Sequence, residues 1–390
     1  MHSVQHRPAA MHGCGNHPAD PRSMHDLIER MPPMRLFTCP ACGQMLYFEN
    51  TRCEQCGHTL GYDPATFCMR ALQQAGEAWQ DADGRQGGSN ESGGAWRFCA
   101  NAGQDACNWL IQADKPDLYC AACRHNHVIP DLSEADNLSR WRALEAAKHR
   151  LIYTLLRFKL KLADRNEDPA HGLAFDFLAE TPAQPKVLTG HDEGLITIAL
   201  KEGDNAERER MREQMGEVYR TPLGHFRHEV GHHYWDLLVR QTSFLEPFRA
   251  LFGDERADYA QALRDHYNRT PLPGWQEYFV SAYATSHPWE DFAETWAHYL
   301  HIVDTLEMAA SFGISIHPKL SRDPALQTDI SFDPYVETDM TAIMDAWLPL
   351  AFAVNSLNRS MGQPDLYPFI LSPKVIEKLG FIHQLIHAEG

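Results

Sequence analysis

The chain's most chemically suggestive stretch is His228-Glu229-Val230-Gly231-His232. On a helix, residues four apart share a face, so the two imidazoles converge on one ion, and zinc suits that donor pair. Glu229 sits beside the ion, where it can take a proton from a zinc-activated water and pass it to a leaving amine. A third ligand is needed. Glu290 opens the run EDFAETWAHY, and Glu294 follows one helical turn later. Glu290 is expected to reach the zinc while Glu294 orients His228 or His232. Spacing alone leaves Asp291 open as an alternative. His298 keeps the same four-residue series and is expected to support the ligands from behind, with His301 beyond it. His225 is a further candidate one turn before His228, whereas His233 points off the ligand face.

The cysteines suggest a second kind of metal chemistry. All ten lie between Cys14 and Cys123. Cys39 and Cys42 form one CxxC and Cys53 and Cys56 another, each followed by Gly, in FTCPACGQMLYFENTRCEQCGHTLGY. Two such turns present four thiolates to one tetrahedral ion, a structural zinc with iron as the competitor. Cys99, Cys107, Cys120 and Cys123 are expected to form a second site, although only Cys120 and Cys123 are a CxxC pair. His125 or His127 is an alternative donor there. Cys14 and Cys68 are left over. The expected cofactor is therefore zinc, one catalytic ion and one or two structural.

These residues need elements to place them. RWRALEAAKHRLIYTLLRFKL carries apolar residues at helical spacing, and LITIAL (Leu195 to Leu200) reads as a short buried strand. The charged stretch KEGDNAERERMREQMG is expected on the surface. GHFRHEVGHHYWDLLV, RADYAQALRDHY, PWEDFAETWAHYLHIVDTLEMAA and MTAIMDAWLPLAFAVNSLNRSMG are amphipathic helices. The glycine- and serine-rich run from Gly76 reads as an exposed insertion. Among the acids of LFGDERADY, Asp254 is expected to cap a helix; with Glu255 and Asp258 it could instead support the site or bind calcium.

HExGH followed by ExFxE on a later helix resembles the gluzincin metallopeptidases, especially their lethal-factor-like and Pro-Pro endopeptidase-like members. The whole chain from about Phe37 is similar to a bacterial family of zinc-binding metallopeptidases with an N-terminal zinc ribbon. The matching stretches include CEQCGHTLGY, DPAHGLAFDFLAE, YRTPLGHFRHEVGHHYWD and SAYATSHPWEDFAETWAHYLHIVDTLE. The resemblance implies Glu290 as third ligand. It implies that Tyr283, seven residues earlier, assists catalysis by donating to the oxyanion of the tetrahedral intermediate. It also implies a strand beside the active helix that pairs with extended substrate, for which Ile196, Thr197 and Ile198 are the candidates. The expected organisation is a tail over 1–34, a zinc-ribbon region over 35–135 with a flexible insertion near 76–95, and a metallopeptidase-like domain over 136–390. The fold class is thus a small β-rich zinc-ribbon region followed by an α+β, mostly helical, gluzincin-like domain.

Composition narrows the function classes. Lys and Arg total 35 against 52 Asp and Glu, a net charge of −17 in 390 residues. That sign weighs against a nucleic-acid binder, which needs a cationic footprint. Arg52, Arg124, Arg140 and Arg142 are scattered rather than clustered. No apolar segment marks a leader, and no window shows about 20 uninterrupted apolar residues. A cytoplasmic enzyme without membrane contact is expected, acting on a peptide or protein, with the ribbon as the candidate surface for a protein partner. A zinc-stabilised scaffold without catalysis is the competing class. Retention of Glu229 favours the enzyme, because a purely structural site needs no base.

Overall fold

The computed structural model describes residues 36–82, 94–183, 185–215, 217–268 and 273–388. The expected tail, Cys14 and most of the glycine-rich insertion lie outside that range. The chain forms two compact units that divide between Cys123 and Arg124.

The first unit is β-rich. A small hairpin pairs β1 (Phe37–Thr38) with β2 (Met45–Leu46). An antiparallel meander follows: β3 (Thr59–Asp63), β4 (Cys68–Ala75), β5 (Ala78–Asp81), β6 (Ala95–Phe98) and β7 (Leu110–Gln112). Of the run expected as an insertion near 76–95, Ala78–Asp81 and Ala95 lie in strands. Trp79 pairs with Trp96 in register, and this cross-strand aromatic pair draws both ends of the insertion into the sheet. Leu72, Trp96 and Leu110 form one small core, with Trp79 and Phe98 against it. Tyr62 and Trp109 are fully buried, with ring centroids 4.8 Å apart. A unit this small buries a limited share of its surface, so an ion held by its cysteines would add to its stability.

The second unit is built on a mixed four-stranded sheet and eight helices among the described residues. Strands β8 (Asn126–Val128), β9 (Ala174–Leu178), β10 (Gly190–Asp192) and β11 (Leu195–Ala199) lie in the order β10-β11-β9-β8. β9 runs parallel to both neighbours, and β10 is antiparallel to β11. The helices are α1 (Asn137–Arg157), α2 (Asn205–Met215), α3 (Pro222–Leu238), α4 (Leu245–Phe252), α5 (Tyr259–Asn268), α6 (Pro288–Ser311), α7 (Met340–Ser360) and α8 (Pro373–His387). A two-stranded ribbon of β12 (Ser315–Ile316) and β13 (Thr328–Asp329) completes the unit. The charged stretch expected on the surface is helical over α2, and no residue of that helix is buried.

Two helices carry the HExxH and ExFxE residues, and each start is fixed locally. Thr221 caps α3 by accepting from the Gly224 N–H, with Pro222 as first helical residue. His287 caps α6 through Trp289 N–H, again followed by Pro. Gly231 sets their approach. A Cβ there would lie 3.1 Å from Ala293 Cα and 3.2 Å from Trp296 Cβ, so any larger residue would push α3 and α6 apart. On its other side α3 meets the sheet: Phe226 packs against Phe175 and Phe177, at 5.4 and 6.3 Å between centroids. Further along α6, α1 is locked to it by Arg157–Glu307 (3.1 Å) and by Thr154–Asp304 (2.9 Å). Arg227, beside His228 in sequence, is buried against His301 and Asp304.

Among the described residues, α7 is long and apolar enough to cross a membrane by length and composition, despite containing Pro349. Its inner face packs through Ile343, Met344, Trp347 and Leu350, while Leu348, Phe352 and Leu357 are exposed.

Candidate metal centres and active site

The eight cysteines gather as two groups of four. Ligand atoms of Cys39, Cys42, Cys53 and Cys56 lie within 4.8 Å of one another, and so do those of Cys99, Cys107, Cys120 and Cys123. Sγ–Sγ separations are 3.6 Å for Cys39–Cys56 and for Cys42–Cys53, and 3.7 Å for Cys107–Cys120. A tetrahedron with Zn–S bonds of ~2.3 Å has edges of about 3.8 Å, whereas a disulfide would bring two sulfurs to ~2 Å. The donor sets fit zinc. In the first group Gly43 and Gly57 both take φ of +78°, which closes each CxxC turn with a bond back to Cys39 and Cys53 (2.8 Å each). In the second group all four cysteines are buried. Burial pushes the Cys107 and Cys120 thiols well above their ordinary range, so thiolates there need a cation. Cys68 stands in β4, outside both groups.

Neither alternative histidine ligand joins the second group. His125 Nδ1 bonds to Leu173 O (2.8 Å) and His127 Nδ1 to Asp176 (2.8 Å), both within the second unit's sheet region.

The third group is His228, His232 and Glu290, with ligand atoms again within 4.8 Å. Glu290 Oε2 is 2.9 Å from His228 Nε2 and 3.4 Å from His232 Nε2. That oxygen is buried and has no hydrogen-bond partner, and neither has His232 Nδ1. A buried carboxylate oxygen facing two imidazole nitrogens leaves a polar atom to be satisfied, and a divalent cation satisfies it. Two nitrogens and one carboxylate oxygen suit zinc with a further position left for water. His228 Nδ1 is held by Glu294 Oε1 (2.7 Å), and Ser281 Oγ donates to Glu294 Oε2 (2.5 Å). Ser281 thus fixes Glu294, and Glu294 fixes the ring whose Nε2 faces Glu290 Oε2. Sequence spacing could not reveal Ser281, because a coil segment brings it to α6.

Glu229 lies on α3 between the two histidines and is 8% exposed. Burial pushes its carboxyl above the ordinary range, against the pull of His228 and His232. Tyr283 sits on a single 3-10 turn with its ring 5.8 Å from His228, and burial raises its hydroxyl too. Two aromatic neighbours were not legible in the sequence. Trp289 lies 3.9 Å from the His232 ring, and Tyr259 donates its hydroxyl to Glu290 Oε1.

Several expectations need correction. Ile196, Thr197 and Ile198 are not on a free edge. β9 pairs along Leu195–Ala199, and β10 occupies the other side as far as Thr197. Among the described strands the open edge next to α3 belongs to Gly190–Asp192, and His191 there stands 6.1 Å from the His232 ring. His298 does not support a ligand by a hydrogen bond. Its Nδ1 goes to Tyr367 (2.7 Å), and Phe369 meets its ring edge-on at 4.3 Å between centroids. Asp291 faces away from the metal group into a buried pair with Lys378 (2.6 Å). His225 is 3.4 Å from Glu202 rather than in the metal group, and His301 bonds with Arg227. Asp258, not Asp254, caps α5 by accepting from Gln261 N–H (2.9 Å). Asp254 and Glu255 pair with Arg256 and Arg249.

The burial of His298 has a consequence for acid stability. Loss of hydration depresses its pKa to about 4, below the ordinary ~6.5. The unfolded chain therefore takes up the proton first. The neutral ring's contribution is full above about pH 6.5 and is lost as pH falls toward 4. Between pH 7 and 5 the loss is about 2 kcal/mol. Urea unfolding at both pH values should show the native chain losing about that much more than His298→Gln. Acid release of metal affects both proteins alike and cancels. Equal losses would contradict the assignment.

Comparison with known proteins agrees with this arrangement. Residues 137–385 match the family model described as "Putative zinc-binding metallo-peptidase", and residues 36–134 match a zinc-ribbon domain. The uncharacterized protein Rv2568c of Mycobacterium tuberculosis and the uncharacterized protein Mb2598c of Mycobacterium bovis are each 42% identical over 354 residues. That covers 90% of this chain and 95% of each relative. No solved structure matches.

Proposed function

Since the chain belongs to the zinc-binding metallo-peptidase family, we propose that it is a zinc-dependent endopeptidase that hydrolyses peptide bonds. One observation carries this reading: two histidines of α3 and a carboxylate of α6 converge, with the unpartnered Glu290 oxygen between them and Glu229 alongside. His228, His232 and Glu290 would hold the zinc. When bound, it supplies Lewis acidity, lowering the pKa of a water and polarising the scissile carbonyl. Glu229 takes the proton from the attacking water and delivers it to the leaving amine. Tyr283, beside His228, donates to the developing oxyanion. Glu294, held by Ser281, keeps His228 in the tautomer that presents Nε2. The open backbone edge at Gly190–Asp192 would pair with the extended substrate.

The cysteine groups would hold two structural zincs, making three per chain with the catalytic ion. A role in nucleic-acid binding finds no support in the arginines named above. Arg124 pairs with Glu167 (3.2 Å), Arg140 with Asp204 (3.0 Å), and Arg52 bonds to Gly57 O (3.2 Å).

The test is a peptide-library digest by the zinc-replete full-length protein, read by mass spectrometry. Internal cleavages should appear, stop on treatment with a chelator and return with added zinc. A library left intact under zinc-replete conditions would sink the peptidase reading and favour the scaffold.

A further inference from the structure

Tyr259 has no counterpart in the HExxH or ExFxE pattern, yet its hydroxyl meets the carboxylate of Glu290. We propose that Tyr259 is a positioning residue that makes Glu290 a one-oxygen ligand, and that His287 aims it. This inference rests on the zinc site proposed above.

The geometry divides the work between the two oxygens of Glu290. Oε1 accepts from the Tyr259 hydroxyl. Oε2 is the buried atom without a hydrogen-bond partner, 2.9 Å from His228 Nε2 and 3.4 Å from His232 Nε2. A carboxylate free to turn can offer a metal either oxygen, or both. With Oε1 engaged, Oε2 alone faces the ion, and the position that a second oxygen would fill stays open for water or substrate.

The placement of Tyr259 is built, not incidental. His287 Nδ1 accepts from Trp289 N–H (3.1 Å) as the cap of α6, so the proton sits on Nε2. Nε2–H donates to Ala257 O (3.1 Å), two residues before Tyr259. The Tyr259 ring then stands edge-on to His287 at 5.3 Å and to Trp289 at 5.8 Å. One histidine thus starts the helix that carries Glu290 and tethers the segment that carries Tyr259. No residue of α5 is buried, so the helix's own packing does not fix Tyr259. The two tyrosines also divide between ligands: Tyr259 on Glu290, Tyr283 against the His228 ring.

The experiment measures zinc on the full-length protein, without substrate. Zinc per chain is followed against graded dipicolinate for the native chain, Tyr259→Phe, Tyr283→Phe and His228→Ala. The zinc missing from His228→Ala identifies the ion in question. Tyr259→Phe should release that ion at an affinity ~10–100-fold weaker than native, the usual effect of removing a hydrogen bond behind a ligand. Tyr283→Phe should hold it as the native chain does. Cobalt substitution gives a second readout that general loosening would not move. In the difference spectrum against His228→Ala, the visible d–d bands of Tyr259→Phe should weaken as Glu290 turns to two-oxygen binding. Native affinity and a native cobalt spectrum in Tyr259→Phe would overturn the inference and leave the zinc site standing. If His228→Ala contains as much zinc as the native chain, the site and the inference fall together.

Discussion

Glu229→Gln should cut turnover by about 100- to 10,000-fold, the range expected when a positioned proton carrier is removed. That corresponds to roughly 3–5 kcal/mol on the barrier. The replacement keeps size and shape but cannot accept the water's proton. Because Glu229 is outside the group of His228, His232 and Glu290, the variant should keep the same zinc content. His232→Ala, by contrast, should lose one zinc together with activity. The thermal midpoint separates chemistry from misfolding. Glu229 is buried, and burial disfavours its charged form. A neutral amide removes that cost, so Glu229→Gln should melt at or above the native temperature. A stable, zinc-loaded and inactive variant is therefore the expected result. Native turnover in Glu229→Gln would remove the residue from the mechanism.

The three candidate metal groups were legible in the sequence because helical spacing and CxxC turns are local rules. His228 and His232 share a face by periodicity alone, and Glu290 and Glu294 repeat that geometry on α6. Gly231 was legible only as a letter in the motif; its reason appears when Ala293 and Trp296 are seen against it. Ser281 and Tyr259 were not legible as site residues. Each reaches the site from a different segment, and neither spacing nor residue type announces a bond to Glu294 or Glu290. The strand beside α3 shows the same limit in another form. LITIAL is apolar and β-branched, so it reads as a strand, and it is one. Those properties mark a strand flanked on both sides. Among the described strands the open edge beside α3 is Gly190–Asp192, polar and three residues long, too short for a period of two to register. The α2 stretch reads as surface but not as helix, because it has no apolar stripe to reveal its period.

Cys120→Ser should have the largest effect on folding, and that effect should centre on the first unit. Cys120 is 2% exposed, with Sγ 3.7 Å from Cys107 and bonded by the Cys123 N–H at 3.4 Å. Trp109 N–H donates to Cys107 Sγ (3.3 Å), so the cluster is wired into the meander next to its most buried tryptophan. A structural zinc contributes an apparent ~10–16 kcal/mol in small zinc peptides, as much as the ~5–15 kcal/mol that holds an ordinary domain together. A unit of this size has little stability to set against such a loss. The variant should contain less zinc, show red-shifted tryptophan emission and be cut by protease N-terminal to Arg124. Cys56→Ser is the informative contrast. Cys56 is partly exposed, and its cluster ties the short β1–β2 hairpin to the turn that precedes β3, at the edge of the five-stranded sheet. Its loss should free one zinc and expose the hairpin to protease while the meander survives. If both variants unfold the first unit equally, the two clusters form one cooperative structure. If Cys120→Ser keeps native zinc and protease resistance, the second cluster is not what holds this small sheet together.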